Sequence, residues 1–136
     1  MTVARYDEIA GWYDEKVRGW SDRDEPVTPL LLELAGDVSE ARICDLGCGQ
    51  GVLARNLARR GAQVVGVDIS KKLIDMARGY ETESALGVEY AHDDAGQLSK
   101  LADSDFDGVV CNYLLVDIDD LVSCLRATSR ILRTNG

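Results

Sequence analysis

The sequence predicts an α/β fold of the doubly wound kind, a mainly parallel sheet of about four strands covered by helices on both faces. Three observations carry that prediction. Two short runs, ARICDL and AQVVGVD, are apolar almost throughout, as strands buried on both faces are. Amphipathic helical patterns alternate with them. A glycine-rich turn, CDLGCGQG at residues 44–51, leaves the first of these strands and opens a helix. In such sheets ligands sit outside the carboxyl ends of the strands, so the residues just after each strand are the ones to interrogate.

Residues 1–36 read as an N-terminal helical cap. Tyr6, Ile9, Ala10, Tyr13 and Val17 fall at helical spacing on one face, and WSDRDEP then breaks the pattern. Thr28 is placed to cap the next helix, with Pro29 in its first position, LLLEL as its body and Gly36 as its left-handed end. The β/α core follows over residues 41–136. ARICDL is its first strand, GVLARNLARR a helix closed by Gly61, and AQVVGVD the second strand. Ser70 caps KKLIDMARGYETES, where Leu73, Ile74, Ala77 and Tyr80 make an apolar stripe. VEYA is a third strand and FDGVVCNYLL contains a fourth. A last helix sets Ile118, Leu121, Val122, Leu125 and Leu132 on one side, behind Asp117, Asp119 and Asp120, which complement its dipole.

The 136 residues are about one domain's worth of chain. No run approaches the roughly 18 apolar residues of a membrane span, and the N-terminus lacks the apolar block of a secretory signal, so the expectation is a cytoplasmic protein without a membrane partner. Cys44, Cys48, Cys111 and Cys124 show no CxxC pairing, and with a single histidine beside them they read as reduced, partly buried thiols. A net charge of −9 disfavours nucleic acid as a partner.

A glycine turn between strand and helix lets a ligand approach the backbone, although glycine there also serves tight packing. Asp68 ends the second strand 17 residues after Gly51, where a carboxylate accepts from both hydroxyls of a ribose. Together they select a nucleoside-containing ligand. Gly49, Gly51 and Ala54 also satisfy the permissive dinucleotide spacing, which keeps a nicotinamide or flavin cofactor open. Asp45, just before the turn, repels a pyrophosphate and attracts an ammonium group. S-adenosylmethionine has that chemistry.

These residues resemble the class I S-adenosylmethionine-dependent methyltransferases, especially their small-molecule branch. CDLGCGQG is similar to the family's first motif, VVGVDIS to its second, DDAGQL to its third and FDGVVCNYLL to its fourth, and YDEIAGWYD is similar to a helical segment that often precedes the fold. The resemblance implies a Rossmann-like sheet in the order 3-2-1-4. It implies that Gly47, Gly49 and Gly51 pass beneath the methionyl part of S-adenosylmethionine, with Asp45 near its amino group. Asp68 would hold the ribose and Ile69 would pack on adenine. Asp94 would accept from the adenine amino group with the Ala95 amide at the ring edge, Asn112 would sit beside the methionyl portion, and Tyr13 would close over the cofactor.

The implied reaction is in-line transfer of the methyl group to a small organic acceptor, leaving S-adenosylhomocysteine; the protein chiefly supplies alignment. No catalytic base is nominated. His92 reads as a solvent-facing turn residue, and Trp12 and Trp20 either line a substrate pocket or pack the cap. The chain departs from the family pattern at TNG, where the family's sheet continues into three further strands. The expectation is an open apolar edge on strand four, from a shortened chain, a half-domain completed by a partner chain, or a homo-oligomer. Beside the enzyme reading stand a non-catalytic S-adenosylmethionine-binding or interaction module and a fragment of an NAD-binding oxidoreductase.

Overall fold

The computed structural model describes residues 5–18 and 26–136. The WSDRDEP break, apart from Pro26, and Trp20 with it lie outside the described residues. A 3-10 turn at Arg5–Asp7 leads into α1 (Ala10–Arg18). After α2 (Val27–Ala35) the chain alternates: β1 (Arg42–Leu46), α3 (Val52–Arg59), β2 (Gln63–Asp68), α4 (Lys71–Glu83), β3 (Glu89–His92), β4 (Gly108–Val110) and α5 (Leu121–Ile131). The four strands form one parallel sheet in the order β3-β2-β1-β4, the order implied by the resemblance.

The period-two alternation of each strand divides the core into two layers. Ile43 and Val64 stand in register and face one layer, where α2 and α3 supply Leu32, Leu53, Ala54 and Leu57. Cys44 with Val65, and Leu46 with Val67, face the other, which is filled by Leu98, Phe106 and the inner side of α5. Both faces of the two central strands are therefore dry, which is why their sequence is apolar without alternation.

Three local readings are corrected. Helix α2 begins one residue earlier than Thr28 and makes no side-chain cap; Pro26 precedes it with φ −79°. Pro29 falls inside the first turn, where its missing N–H costs no helical hydrogen bond. Helix α5 docks through Cys124, Ala127 and Ile131, while Leu121, Val122 and Leu125 are exposed. Small residues at 124 and 127 let the helix lie close to the sheet, and that turns the larger apolar stripe outward. On α1 the inward residues are Ala10 and Asp14, whereas Ile9 and Trp12 are exposed.

Asp14 is the unexpected buried charge. Tyr80 on α4 donates to it at 2.6 and 2.7 Å, Arg18 lies 3.3 Å away, and Arg18 and Arg55 stack on the Tyr80 ring. Burial, then Asp14 beside it, pushes the Tyr80 hydroxyl up to about 12. This contact fixes α1 to α4 and so to the sheet. Tyr80→Phe leaves a buried carboxylate short of its donor and is expected to lower stability by about 1–3 kcal/mol in urea unfolding.

Candidate functional site

At the carboxyl end of the sheet the loops after the four strands converge on a cavity of about 400 Å³. Its wall includes Gly47 and Gly49 from the turn after β1, Asp68 and Ile69 after β2, Asp94 and Ala95 after β3, Asn112 after β4, and Tyr13 from α1. A smaller cavity of about 200 Å³ adjoins it across the glycine turn and shares Tyr13, Gly47, Gly49, Asn112 and Tyr113 with it. Asp45 lines only the smaller one.

The three alternate glycines serve different purposes. Gly49 has φ +56°, and a Cβ there would meet only Tyr13, 3.8 Å away, so its side of the turn is open to the cavity. Gly51 lines neither cavity. It is the left-handed residue that starts α3, with φ 89°, and a Cβ would fall 2.2 Å from the Tyr90 hydroxyl. Packing beneath the turn requires glycine at this position. Gly47 lines both cavities and rests on Leu114.

Asp68 holds the turn in shape. One carboxylate oxygen accepts from the Gly49 N–H at 2.9 Å and the other from the Ser70 N–H at 2.8 Å. Burial nonetheless raises its pKa. After β3 the two adjacent carboxylates divide their work. Asp93 accepts from the amides of Asp94 and Lys100 and from the Ser99 hydroxyl, closing the turn, while Asp94 spends Oδ1 on the Gly96 N–H at 2.7 Å. His92 ends β3 half-buried, its Nε2 2.9 Å from the Ile69 carbonyl oxygen. It is a strap on the loop that carries Ile69, a role the expected solvent-facing turn residue does not have.

Several lining residues were not singled out in the sequence. Tyr6 donates to Asp117 at 3.1 Å, and Arg5 pairs with Asp119 at 3.6 Å, which brings the N-terminal turn to the far wall. Tyr6 and Tyr13 meet edge to face. Tyr113 lines both cavities with φ 59°, a left-handed conformation unfavourable for a bulky side chain. No spacing rule sets these residues at one cavity, because that depends on how the loops meet in space. Six aspartates and one arginine line the larger cavity, an electrostatic setting for a cation and against a polyphosphate.

Among the described residues Asp45 is the most buried carboxylate, 1% exposed, and its Oδ2 has no hydrogen-bond partner. Burial pushes its pKa up to about 7, against a smaller opposing effect from the Ala54 amide. A buried acceptor at the foot of a glycine turn fits a ligand that carries an ammonium group.

The fold defines an α/β domain of the Rossmann-like class, with a cavity at the carboxyl end of its sheet. The chain belongs to the methyltransferase domain family, which it matches over residues 44–136. It is 35% identical to the ubiquinone biosynthesis O-methyltransferase of Alkalilimnicola ehrlichii over 142 residues, covering 98% of this chain and 56% of that protein. A solved S-adenosylmethionine-dependent methyltransferase of Mesorhizobium loti is similar at 30% identity and a TM-score of 0.68, over 77% of this chain and 47% of that one. The magnesium protoporphyrin IX methyltransferase of Synechocystis, solved with S-adenosylmethionine bound, is similar at 27% identity and a TM-score of 0.65, over 79% and 52% of the two chains. The chain spans little more than half the length of the curated relatives it matches. Among the described residues no helix is long and apolar enough to cross a membrane.

The raised pKa of Asp45 makes stability depend on pH. The exposed group titrates near 3.8 and the folded one near 7, so between those values the folded chain keeps a proton that the unfolded chain releases. Stability therefore falls as pH rises across that window, with Asp68 acting in the same direction. Asp45→Asn removes the Asp45 contribution: its urea midpoint is expected to exceed that of the wild type at pH 8, with the gap closing toward pH 4.

Proposed function

We propose that the cavity binds S-adenosylmethionine and that the protein transfers its methyl group to a small organic acceptor, an oxygen by analogy with the O-methyltransferase relatives. The observation that carries the reading is the pairing of a buried, unpartnered carboxylate at Asp45 with a second carboxylate at Asp68 across an open glycine turn. Membership of the methyltransferase family supports it.

When bound, S-adenosylmethionine supplies a methyl group already activated by a sulfonium, so in-line displacement asks the protein mainly for alignment. The glycine turn, with Gly47 and Gly49 lining both cavities, offers backbone to the methionyl part; Gly51 supports it from beneath. Asp45 accepts from the amino group and Asp68 from the ribose hydroxyls. Ile69, fixed by His92, packs on adenine, with Asp94 and Ala95 at its edge, while Asn112 and Tyr13 close the methionyl side. The aspartate-rich wall repels a pyrophosphate and so disfavours a dinucleotide. Four free cysteines fit a reducing compartment and support a cytoplasmic location.

Calorimetry with S-adenosylhomocysteine, and NADH as control, tests the reading. Saturable binding of S-adenosylhomocysteine alone is the expected result; binding of NADH in its place would return the dinucleotide reading. Asp68→Ala is expected to weaken that binding by about 1–3 kcal/mol, with the melting temperature recorded alongside because Asp68 also holds the turn. Unchanged affinity would remove Asp68 from the ribose site.

A further inference from the structure

We infer that Tyr113 is a charge-reading residue: its ring faces the positive sulfur of the bound ligand and so favours the sulfonium of S-adenosylmethionine over the neutral thioether of S-adenosylhomocysteine. The inference rests on the reading of the larger cavity as the nucleoside site.

Tyr113 stands just beyond the end of β4, lines both cavities and is 60% exposed, so its side chain is open to a ligand. Its backbone is left-handed, with φ 59°, a conformation that glycine takes freely and asparagine readily, but a bulky residue only under strain. The next residue explains the turn. Leu114 is drawn in against Gly47, where a Cβ would fall 2.9 Å from the Leu114 Cβ, and packs on the core layer that holds Leu98 and Phe106. The Asp117 N–H closes the loop behind it, donating to the Leu114 carbonyl at 2.9 Å. Packing thus accounts for Leu114 and for the reversal before it. It does not account for a tyrosine at the strained position, where a smaller residue would sit at lower cost, and strain retained at a cavity wall points to a ligand.

The walls of the two cavities share Tyr13, Gly47, Gly49, Asn112 and Tyr113. None of these five is charged, although six aspartates line the larger cavity. A ligand with its ribose at Asp68 and its methionyl chain over Gly47 and Gly49 carries its sulfur between those two points, beside the uncharged wall. A cation there gains from the face of an aromatic ring, whereas a neutral thioether of the same shape gains only packing. Tyr13 already stands against Gly49, where a Cβ would lie 3.8 Å from its ring, and Tyr113 brings a second ring to the same space. The aspartates attract a cation over a distance and are screened by salt, while a ring acts only at contact. High salt therefore separates the two effects.

The test is calorimetry in high salt with S-adenosylmethionine and S-adenosylhomocysteine, on the wild type, Tyr113→Phe, Tyr113→Leu and Tyr113→Gly. Tyr113→Leu and Tyr113→Gly are expected to lose about threefold to thirtyfold in affinity for S-adenosylmethionine, with S-adenosylhomocysteine affinity held within about twofold. Tyr113→Phe keeps the ring and is expected to keep the wild-type ratio. Tyr113→Gly is expected to melt at or above the wild-type temperature, because glycine relieves the left-handed backbone. A lower melting temperature with both ligands weakened together marks a structural role and would overturn the inference. A ratio unchanged in Tyr113→Leu and Tyr113→Gly would overturn it too, as would a Tyr113→Phe that behaves like Tyr113→Leu, since the hydroxyl and not the ring would then be the contact. If the wild type binds both ligands and only the ratio fails to respond, this inference falls alone. If it binds neither, the cofactor reading falls and takes this inference with it.

Discussion

Asp45 is a carboxylate held almost out of reach of water at the end of the central strand, and the surrounding structure is constrained by the need to keep it there. Register with Gly66 on β2 and Val110 on β4 fixes it inside the sheet. The turn that follows is fastened from the neighbouring strand: the amides of Gly47 and Cys48 donate to the Val67 carbonyl, and Gly49 donates to Asp68. The penalty of burying the charge raises its pKa, and a cationic partner would relieve that penalty. The site thus gains attraction for a cation from the same desolvation that makes the folded chain less stable as Asp45 ionises. Stability and binding pull in opposite directions at this residue, a pattern typical of functional sites.

Much of this was legible in the sequence. β1 and β2 announced themselves because both their faces are buried, and the turn between β1 and α3 because its glycines and Asp68 keep a fixed separation. Ser70 capping α4 was readable for the same local reason: a side-chain oxygen placed to accept the Leu73 N–H. What could not be read depended on orientation. The apolar stripe of α5 is real as a pattern, yet the helix buries its smaller face, since depth of docking is decided by what the sheet offers. Periodicity reports that a helix has a face, and only packing decides which face is used.

The glycine turn shows the same division at the level of the site. From spacing alone, three glycines at alternate positions look like one device. In space Gly49 faces the cavity, while Gly51 lies over Tyr90 and Gly47 rests on Leu114. The pattern is regular because the turn is tight, and the reasons for it differ because the two sides of a turn meet different neighbours. Asp93 and Asp94 make the same point with charges. Adjacent in sequence and both at the cavity wall, one closes a turn through amide and hydroxyl contacts that reach Ser99 and Lys100, and the other bonds only the nearby Gly96 amide.

The N-terminal segment reaches the site from far away in sequence, and magnitudes decide which contact holds it. Arg5 and Asp119 are 71% and 64% exposed, so their ion pair contributes about 0–1 kcal/mol at most. Asp7 accepts from the Ser70 hydroxyl, which is buried, and from the Lys72 amide, contacts at the N-terminus of α4. The Asp14 contact with Tyr80 differs because Asp14 is only 6% exposed, and a hydrogen bond from a neutral donor to a buried charge is worth about 1.5–3 kcal/mol. Tyr13 is the residue immediately before it on α1. The side chain that faces Gly49 is thus positioned by a buried polar contact made by the next residue of its own helix, while the contacts of Arg5 and Asp7 set the course of the chain before it. Asp14, a polar residue on the inner face of α1, is what fixes the neighbouring aromatic side chain of that helix at the cavity.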